Sequence, residues 1–351
     1  LKIYCTADDG GCGFYRIKEP ARVARDEGIE IYCGQDVDVD ATTYPDGRID
    51  IHDVKFDGNV IVLQRPLLKA WEYVIRILQS RGVACIVEID DDLTNIHPQN
   101  VAFGVLQPGT GRKSEDWTHL LKCCEIADLV ICSSDQLAKV FAPHGRFRVL
   151  RNYVSESELY RPKYPATDLR LGWTGTVQTH PGDLDVAENH ISAALTGYAV
   201  DQDFYVVGDG EFVKEKLNIK GNVVPTGWVP REDYIETLNH HFDIGIVPLK
   251  LDKFNQSKSW LKQLEMASQA IPSVVSGTDE NILLAEITGN PVVGKSKDWQ
   301  KYLKQLFIDR DFYLERAAAV RSAVAPLTYE NHVGEWIEAW EAARDIRLAR
   351  R

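Results

Sequence analysis

The chain has 351 residues, of which 44% are hydrophobic and 26% charged, and 40 Lys and Arg stand against 52 Asp and Glu, a net charge of −12. This length favours two domains, and the composition excludes a disordered chain, a collagen-like fibre and a disulfide scaffold. The acidic balance argues against a bulk nucleic-acid-binding surface, because phosphate contacts call for a basic face.

Two features of the sequence bear on location. No apolar stretch approaches the roughly 18 residues that span a bilayer, and Asp8 and Asp9 interrupt the only stretch in which a signal peptide would begin. The seven cysteines are odd in number and form no CxxC pair, so we expect free thiols in a reducing cytoplasm. Four of them lie in apolar segments and are expected to be buried: Cys5, Cys33, Cys85 and Cys132.

The first 150 residues alternate short apolar stretches with amphipathic ones. Strands are predicted at 2–5, 29–33, 60–63, 83–89, 129–132 and 147–150. Helices are predicted at 16–27, 67–79, 117–125 and 135–141. Repeated strand–helix units predict a parallel sheet covered on both faces.

A second series of the same kind follows a polar, proline-containing linker at 155–168. Its strands are predicted at 169–173, 204–207, 223–225, 244–247 and 273–276. Its helices are predicted at 184–195, 212–217, 231–239, 260–267, 299–307, 311–324 and 330–347. The sequence therefore predicts an α/β protein with two doubly wound domains, at 1–160 and 166–325.

Ligands of such folds bind beyond the carboxyl ends of the strands, so the loops there are the candidate sites. After the first strand, Gly10, Gly11 and Gly13 would let the backbone approach a ligand and would place an anion at a helix N-terminus. The dinucleotide fingerprint is incomplete, because Arg16 occupies its third glycine position. A tight turn is the structural alternative.

A second candidate loop holds the adjacent carboxylates Asp90, Asp91 and Asp92 at the end of an apolar strand. They could bind Mg²⁺, contact substrate hydroxyls, or cap the next segment. Three neighbouring carboxylates repel one another unless they have a partner. We favour a functional use over metal binding.

The loop at 172–184 opens the second domain. Gly175 and Thr176 are small enough for a phosphate or a sugar to pass close to the backbone, and His180 is a candidate donor to a phosphate. A capping or packing role is the alternative for His180.

Further along, Lys258, Lys262 and Glu265 fall at i, i+4 and i+7, which is one face of a predicted helix. Two lysines can neutralise a diphosphate, and the carboxylate can accept two ribose hydroxyls. On a merely solvated face the Lys–Lys pair would be slightly destabilising, which favours an anionic ligand.

At these two loops the sequence resembles a known family. The segment at 265–276 is similar to the ribose-binding segment of retaining GT-B glycosyltransferases of the glycogen-synthase-like, family 4-type group. Within this group the chain more closely resembles a subgroup with two motifs, and it matches both. They are G-W-x-G-S/T…H-x-x-D-L and N-x-x-K-S-x-x-K-x-x-E. The resemblance covers most of 169–325, and in the first half it rests on residues 10–16 and 90–92. Compact chains with this motif set resemble ones carried by bacteriophages.

The resemblance implies two Rossmann-like domains that face a cleft, with a final helix at 328–351 that packs back on the first domain. It further implies transfer of a sugar from a nucleoside-diphosphate sugar with retention of configuration. No cofactor or metal is required in that scheme, with Mg²⁺ as the disfavoured alternative. The acceptor is left open among protein, glycan and modified nucleobase.

The family's functional residues map onto this chain with two departures. Ser257 stands where the family often has a glutamate facing the donor sugar, and the loop at 172–184 lacks the usual Arg and Lys pair. The implied diphosphate-binding residues are Gly13, Gly175, Thr176, Lys258 and Lys262. Ribose is assigned to Glu265, and the base to the region of Thr226, Gly227, Trp228 and Val229. The acceptor side is assigned to Gly11, Tyr15, Asp90 and Asp92.

No protein base is assigned, because in the usual account of retaining members the leaving phosphate takes the acceptor proton. The candidate catalytic residues are His180, Asp91 and Arg16. Three other functions stay open: a sugar-nucleotide epimerase or hydrolase, a non-catalytic nucleotide- or glycan-binding protein, and a dehydrogenase. The last is disfavoured by incomplete glycine fingerprints at 11–16 and 208–213.

Overall fold

The computed structural model describes residues 1–45, 49–103, 116–159, 168–198 and 202–350. The chain forms two compact units. Unit 1 comprises Leu1–Asn95, Phe103–Asn152 and Tyr329–Arg351, and unit 2 comprises Ile96–Ala102 and Tyr153–Thr328. Most of the predicted linker, residues 160–167, lies outside the described residues.

Unit 1 contains a six-stranded parallel sheet and a separate antiparallel hairpin. In chain order the strands are β1 (Lys2–Thr6), β2 (Glu30–Gly34), β3 (Asp38–Thr43), β4 (Ile49–Lys55), β5 (Val60–Gln64), β6 (Ala84–Ile89), β7 (Leu129–Cys132) and β8 (Phe147–Val149). The sheet order is β2-β1-β5-β6-β7-β8, and β3 pairs with β4. Each of the six sheet strands lies within one residue of its predicted bounds, which confirms the predictions for this half of the sequence. Most of them contain a nearly continuous apolar stretch.

The helices of unit 1 include one unusual segment directly after β1. The described elements are helices at Gly11–Gly13, Glu19–Asp26, Ala70–Ser80, Asp116–Ile126, Asp135–Phe141 and Tyr329–Ala349, a π-helical segment at Phe14–Lys18 and a 3₁₀ turn at Leu93–Asn95. π-helical turns are rare and are often found at functional sites.

The final helix, Tyr329–Ala349, belongs to unit 1 and packs against its core. Its buried face carries Trp336 and Trp340, and the Tyr329 hydroxyl donates to the carbonyl oxygen of Tyr15 at 2.6 Å. Near its end, Arg347 and Arg350 approach the buried carboxylate of Asp128 at 3.6 and 3.5 Å.

Unit 2 contains a second six-stranded parallel sheet. Its strands are β9 (Leu171–Gly175), β10 (Phe204–Gly208), β11 (Val223–Pro225), β12 (Ile244–Val247), β13 (Ser273–Ser276) and β14 (Val292–Val293). The order β11-β10-β9-β12-β13-β14 is that of a dinucleotide-binding sheet. The chain reverses direction across the sheet between β9 and β12, so a ligand crevice is expected at the carboxyl ends of these two strands.

Helices cover both faces of this second sheet. They lie at Glu156–Leu159, His190–Tyr198, Val213–Lys216, Arg231–His241, Lys253–Gln256, Leu261–Ser268, Asp279–Thr288, Lys297–Ile308 and Arg310–Val324, with 3₁₀ turns at Val177–Thr179 and Leu184–Ala187. Alternate residues of each strand point to opposite faces. Trp173 and Trp299 belong to the core cluster on one face, and Phe242 and Met266 belong to the cluster on the other.

The elements that the sequence did not predict include the hairpin β3–β4 and the helix Asp279–Thr288. The hairpin β3–β4 is rich in Asp and largely exposed, so it lacks an apolar stretch. The helix Asp279–Thr288 exposes Ile282, Leu283 and Ile287, and these side chains obscure its amphipathic pattern.

The structure also bears on the predicted helix at 184–195, on the cysteines and on membrane-spanning segments. The predicted helix at 184–195 is interrupted, because Glu188 adopts a left-handed conformation with φ of 47° between the 3₁₀ turn and the helix that follows. Cys33 is exposed, because it lies on the edge strand β2, whereas Cys5, Cys85 and Cys132 are buried as expected and all seven thiols are free. Among the described residues, no helix is both long enough and apolar enough to span a bilayer.

Candidate functional site

The carboxyl edge of the sheet in unit 2 is built from glycine backbone. Gly175 ends β9 and Gly208 ends β10, and the two are register partners. Gly208 has φ of 126°, and a Cβ atom there would lie 2.3 Å from the carbonyl oxygen of Gly175. The amide of Gly227 donates to the carbonyl of Gly208 at 3.1 Å. Neither position has room for a side chain, because the neighbouring backbone crowds Gly208 and the side chains of Trp173 and Lys262 crowd Gly175.

Lys262 extends from the helix Leu261–Ser268 to this edge. Its ammonium donates to the carbonyl oxygen of Thr174 at 2.9 Å and lies 3.3 Å from Nε2 of His180. It also lies 5.6 Å from the ring centroid of Trp173, and 3.2 Å from where a Cβ atom on Gly175 would be. The structure thus brings together three residues that the sequence assigned to the diphosphate site or to catalysis, namely Gly175, His180 and Lys262.

His180 is held on its other side by a buried carboxylate. Nδ1 of His180 lies 2.9 Å from Oδ2 of Asp183. The second carboxylate oxygen, Oδ1, accepts from the amide of Lys250 at 2.9 Å and from the side chain of Asn255 at 2.7 Å. Asp183 therefore connects the loop after β9 to the loop after β12, which are the two loops at the point of strand-order reversal.

The protonation state of His180 follows from these surroundings. Burial lowers the pKa of His180 to about 4, the charges of Lys262 and Lys258 act in the same direction, and the hydrogen bond to Asp183 opposes them. Burial alone would raise the pKa of Asp183, but its hydrogen bond to His180 and the nearby charges bring that pKa below its usual value. At neutral pH the imidazole is uncharged, with Nδ1–H donating to Asp183 and Nε2 accepting from Lys262.

Glu265 is buried one turn beyond Lys262. Its carboxylate accepts from the hydroxyl of Tyr234 at 3.2 Å, and the same hydroxyl lies 3.1 Å from Oγ1 of Thr174. Burial and the negative charge of Glu265 raise the pKa of Tyr234. Sequence reasoning missed Tyr234, because it lies on a separate helix that only the folded sheet brings to Glu265.

The prediction that Lys258 shares a helix face with Lys262 is wrong. The helix begins at Leu261, and Lys258 lies in the turn after the short helix Lys253–Gln256, so the i, i+4 relationship does not hold. Its ammonium packs 4.4 Å from the ring centroid of Phe254. The charge of Lys258 still contributes to the lowered pKa of His180, so it acts on the same site.

The remaining predicted donor residues lie nearby in unit 2. Thr176 is buried directly after Gly175, and the loop after β11 carries Thr226 to Val229. The hydroxyl oxygen of Thr226 accepts from the amide of Gly208 at 3.3 Å. The indole of Trp228 is 77% exposed, which is unusual for so large an apolar side chain. Ser257 is buried, and its hydroxyl donates to the carbonyl of Lys253 at 3.2 Å.

In unit 1 the glycine-rich loop is occupied by a residue of its own chain. The carboxylate oxygen Oδ1 of Asp8 accepts from the amides of Gly10 and Gly13, each at 2.9 Å. Gly11 is exposed at the start of the helix. The other carboxylate oxygen of Asp8 pairs with Arg65. The Gly13 amide, predicted to bind the diphosphate, is thus engaged by Asp8, a residue that the sequence reading did not select.

The catalytic candidate Arg16 lies in the core of unit 1. Its guanidinium donates to Glu88 at 2.6 Å, to the carbonyl of Leu150 at 2.6 Å and to the side chain of Asn152 at 2.9 Å, and it is 1% exposed. Burial raises the pKa of Glu88 to about 7, and the charge of Arg16 opposes the rise. This placement favours a structural role for Arg16. Its neighbour Tyr15 is buried as well.

The three carboxylates at 90–92 differ in their surroundings. Asp92 accepts from the amide and the hydroxyl of Thr94 at 3.1 and 2.6 Å and from Asn95 at 2.8 Å, so it caps the 3₁₀ turn. Asp90 is buried, with Oδ1 3.5 Å from Nε of Arg65, and Asp91 is partly exposed. Across the described ranges, no group of three or more His, Cys, Asp and Glu side chains could hold a metal ion.

Comparisons with known proteins identify the fold. No protein-family model matches the chain, and no curated protein matches its sequence. Solved structures do match it. One is sucrose-phosphate synthase from Thermosynechococcus elongatus, with a TM-score of 0.61 and 12% identity over 97% of this chain and 98% of that one. Another is HepE from Anabaena in complex with UDP and glucose, at 0.62 and 13% over 96% and 99%.

A third match is WaaG, a glycosyltransferase involved in lipopolysaccharide biosynthesis, at a TM-score of 0.57 and 13% identity over 99% of each chain. All three comparisons span nearly the full length of both chains. The fold of the present chain, with its two Rossmann-like domains, is therefore that of the GT-B glycosyltransferases. At this identity the likeness concerns the fold alone.

Proposed function

We propose that the chain is a glycosyltransferase that moves a sugar from a nucleoside-diphosphate sugar to an acceptor with retention of configuration. Unit 2 binds the donor in this proposal, and unit 1 binds the acceptor. We also place the protein in the cytoplasm, where seven thiols without a disulfide are stable.

One observation supports the proposal most strongly. Lys262 and Glu265 lie one turn apart on a helix whose start adjoins the carboxyl end of β9, at the point where the strand order reverses. A cation there can bind a diphosphate, and a buried carboxylate three residues on can accept ribose hydroxyls. The ammonium of Lys262 lies directly beside Gly175, at the end of β9.

The chemistry requires an environment that stabilises the leaving group. As the glycosidic bond breaks, positive charge grows on the sugar ring and negative charge grows on the departing diphosphate. Lys262 supplies a fixed positive charge in a partly buried site, where electrostatic stabilisation is stronger than in water. In the retaining scheme that the sequence resemblance implies, the leaving phosphate takes the acceptor proton, so no protein base is assigned. We propose that the reaction needs no metal ion.

The donor half of this proposal can be tested without knowing the acceptor. Purified protein is heated with a panel of nucleotide sugars, beginning with UDP-glucose, because HepE was solved with UDP and glucose. A donor that binds raises the melting temperature by mass action. Release of the nucleoside diphosphate, with and without EDTA, then reports turnover with water as the acceptor. Strong loss of activity in EDTA would contradict metal independence.

The products separate the competing functions. Early proton NMR spectra of the hydrolysed sugar show whether the first anomer keeps the donor's configuration, as we expect for retention. A released epimer would identify an epimerase. A stabilising nucleotide without any release, even in the presence of candidate acceptors, would favour a binding protein. No stabilisation by any nucleotide sugar would overturn the proposal.

A further inference from the structure

Lys262 and Asp183 belong to the same hydrogen-bonded chain of side chains. His180 lies between them, with one ring nitrogen on each: Nδ1 is 2.9 Å from Asp183, and Nε2 is 3.3 Å from Lys262. Neither His180 nor Asp183 is a donor-binding residue in the proposal above. Asp183 is buried and His180 is largely buried, within reach of the ammonium that we assign to the diphosphate.

We propose that Asp183 and His180 are positioning residues for Lys262. Asp183 fixes the imidazole in the tautomer with the proton on Nδ1, and the free electron pair on Nε2 then orients the ammonium toward the diphosphate. This inference rests on the proposed function for the identity of the anion. The arrangement of the three side chains stands without it.

The neutral ring between the two charges has a physical consequence. A carboxylate in the place of this ring would form an ion pair with Lys262 and weaken its attraction for a phosphate. An imidazole accepts a hydrogen bond but brings no negative charge, so this contact holds Lys262 in place without neutralising it. His180 therefore serves as a hydrogen-bond acceptor, and not as the phosphate donor that the sequence suggested.

The carboxylate is itself fixed in place. Its two oxygens accept from His180, from the Lys250 amide and from Asn255. The charged groups around the imidazole are Asp183 on its own loop, Lys258 in the turn before the helix, and Lys262 on the helix. Because these hydrogen bonds hold the Asp183 carboxylate in one orientation, the carboxylate can hold the His180 ring in one orientation as well. A ring held in this way can position Lys262.

A structural role for His180 is the competing explanation. The ring also packs edge-on against Trp173, with 6.2 Å between centroids, so its loss could simply loosen the loop. The test therefore needs a readout that loosening would not change. Three variants serve: Asp183→Asn, His180→Gln, which retains an acceptor for Lys262, and His180→Phe, which retains bulk alone. His190→Gln is the matched control, since His190 lies 3.9 Å from a carboxylate in the same unit.

The first measurement needs no ligand. Nitrogen-15 NMR of histidine-labelled wild-type protein, assigned with His180→Gln, should show a neutral Nδ1–H tautomer at His180 from pH 5.5 to 8. The Asp183→Asn variant should lose that single tautomer, because an amide can either donate or accept at this position. A charged ring or an Nε2–H tautomer in wild type would overturn the inference, whatever the protein binds.

The second measurement uses calorimetry with UDP, ADP and GDP and with their monophosphates. For the base that wild type prefers, Asp183→Asn and His180→Phe should weaken diphosphate binding roughly 10- to 100-fold, the size expected for a lost hydrogen bond to a charged group. The monophosphate should lose much less, and His180→Gln should recover part of the effect. His190→Gln should match wild type.

The outcomes separate the two proposals. Equal losses for diphosphate and monophosphate, or wild-type affinities in all variants, would overturn the positioning role while leaving the proposed function intact. If wild type binds no nucleotide, the proposed function and the ligand half of this inference both fail. The tautomer measurement then still decides whether Asp183 and His180 hold Lys262.

Discussion

Nε2 of His180 lies 3.3 Å from Nζ of Lys262, where a neutral imidazole accepts a hydrogen bond from an ammonium. This contact joins the loop after β9 to the helix Leu261–Ser268 and fixes a cation at the reversal point of the sheet. It also ties the predicted catalytic candidate to the predicted diphosphate ligand in a single network.

Lys262→Ala should abolish sugar transfer while the protein stays folded. Loss of a charged donor to the diphosphate costs about 1.5–3 kcal/mol of binding, or about 10- to 100-fold in affinity. Calorimetric titration with the preferred nucleoside diphosphate and a nucleotide-release assay would measure this. Lys214→Ala, an exposed lysine of the same unit, is the control and should change neither quantity. Full activity in the folded Lys262→Ala variant would remove this residue from the site.

Glu265→Gln should weaken discrimination between a ribonucleotide and its 2′-deoxy counterpart. If the carboxylate accepts ribose hydroxyls, wild type should prefer the ribonucleotide about 10-fold or more, and the variant should reduce this preference to a few-fold. Glu286→Gln, an exposed glutamate of unit 2, should keep it. Equal discrimination by wild type and Glu265→Gln would show that the ribose lies elsewhere.

Trp228→Ala should weaken nucleotide binding without changing stability. The indole is 77% exposed, so its removal leaves no cavity, while stacking of a base on an aromatic ring contributes about 1–3 kcal/mol. Thermal unfolding and titrations with a nucleoside diphosphate and with inorganic pyrophosphate would separate the two effects. Pyrophosphate affinity should be unchanged. A variant with wild-type nucleotide affinity would exclude stacking on this ring.

Gly208→Ala should destabilise the protein by about 3 kcal/mol. The new methyl group would clash with the carbonyl oxygen of Gly175, so the backbone of one of the two strands would have to shift. Gly334→Ala is the matched comparison. A Cβ atom on Gly334 has no described atom within 4 Å, and its helical position should gain about 0.5–1 kcal/mol. Urea titrations of both variants would measure these opposite signs. A Gly208→Ala protein as stable as wild type would contradict the tight packing of the edge.

His180 should make stability depend on pH in acid. Its pKa is lowered from 6.5 to about 4 in the folded chain, so the unfolded state binds more protons in between. The free energy of unfolding should therefore fall as the pH drops from 6.5 to 4, by about 3 kcal/mol for this group. Glu88 in unit 1, with a pKa raised to about 7 chiefly by burial, acts in the opposite direction between pH 4.5 and 7.

The difference between wild type and His180→Gln reports the histidine together with its hydrogen bond to Asp183. Chemical unfolding at a series of pH values should show wild type losing stability relative to the variant as the solution becomes acidic. Glu88 is present in both proteins, so its contribution cancels. Parallel stability profiles would mean that His180 is not held neutral by its surroundings.

The sequence by itself determined the architecture. Buried parallel strands are continuous apolar stretches, so β1, β6 and β9 could be located to within one or two residues. The family resemblance drew attention to Lys262 and Glu265, and the structure places both beside the carboxyl end of β9. The acidic hairpin β3–β4 and the helix Asp279–Thr288 escaped prediction, because neither has a clean apolar period.

Tertiary structure decided which groups meet. Tyr234 carries no signal in the sequence that marks it as a partner of Glu265, since it reaches Glu265 only when the helix Arg231–His241 packs beside the sheet. The H-x-x-D-L motif contains both His180 and Asp183, but only the folded loop shows that their side chains pair. The Gly13 amide was expected to face a phosphate, yet Asp8 occupies it. Local periodicity depends on neighbours along the chain, whereas these contacts depend on strand order and register, which long-range packing alone fixes.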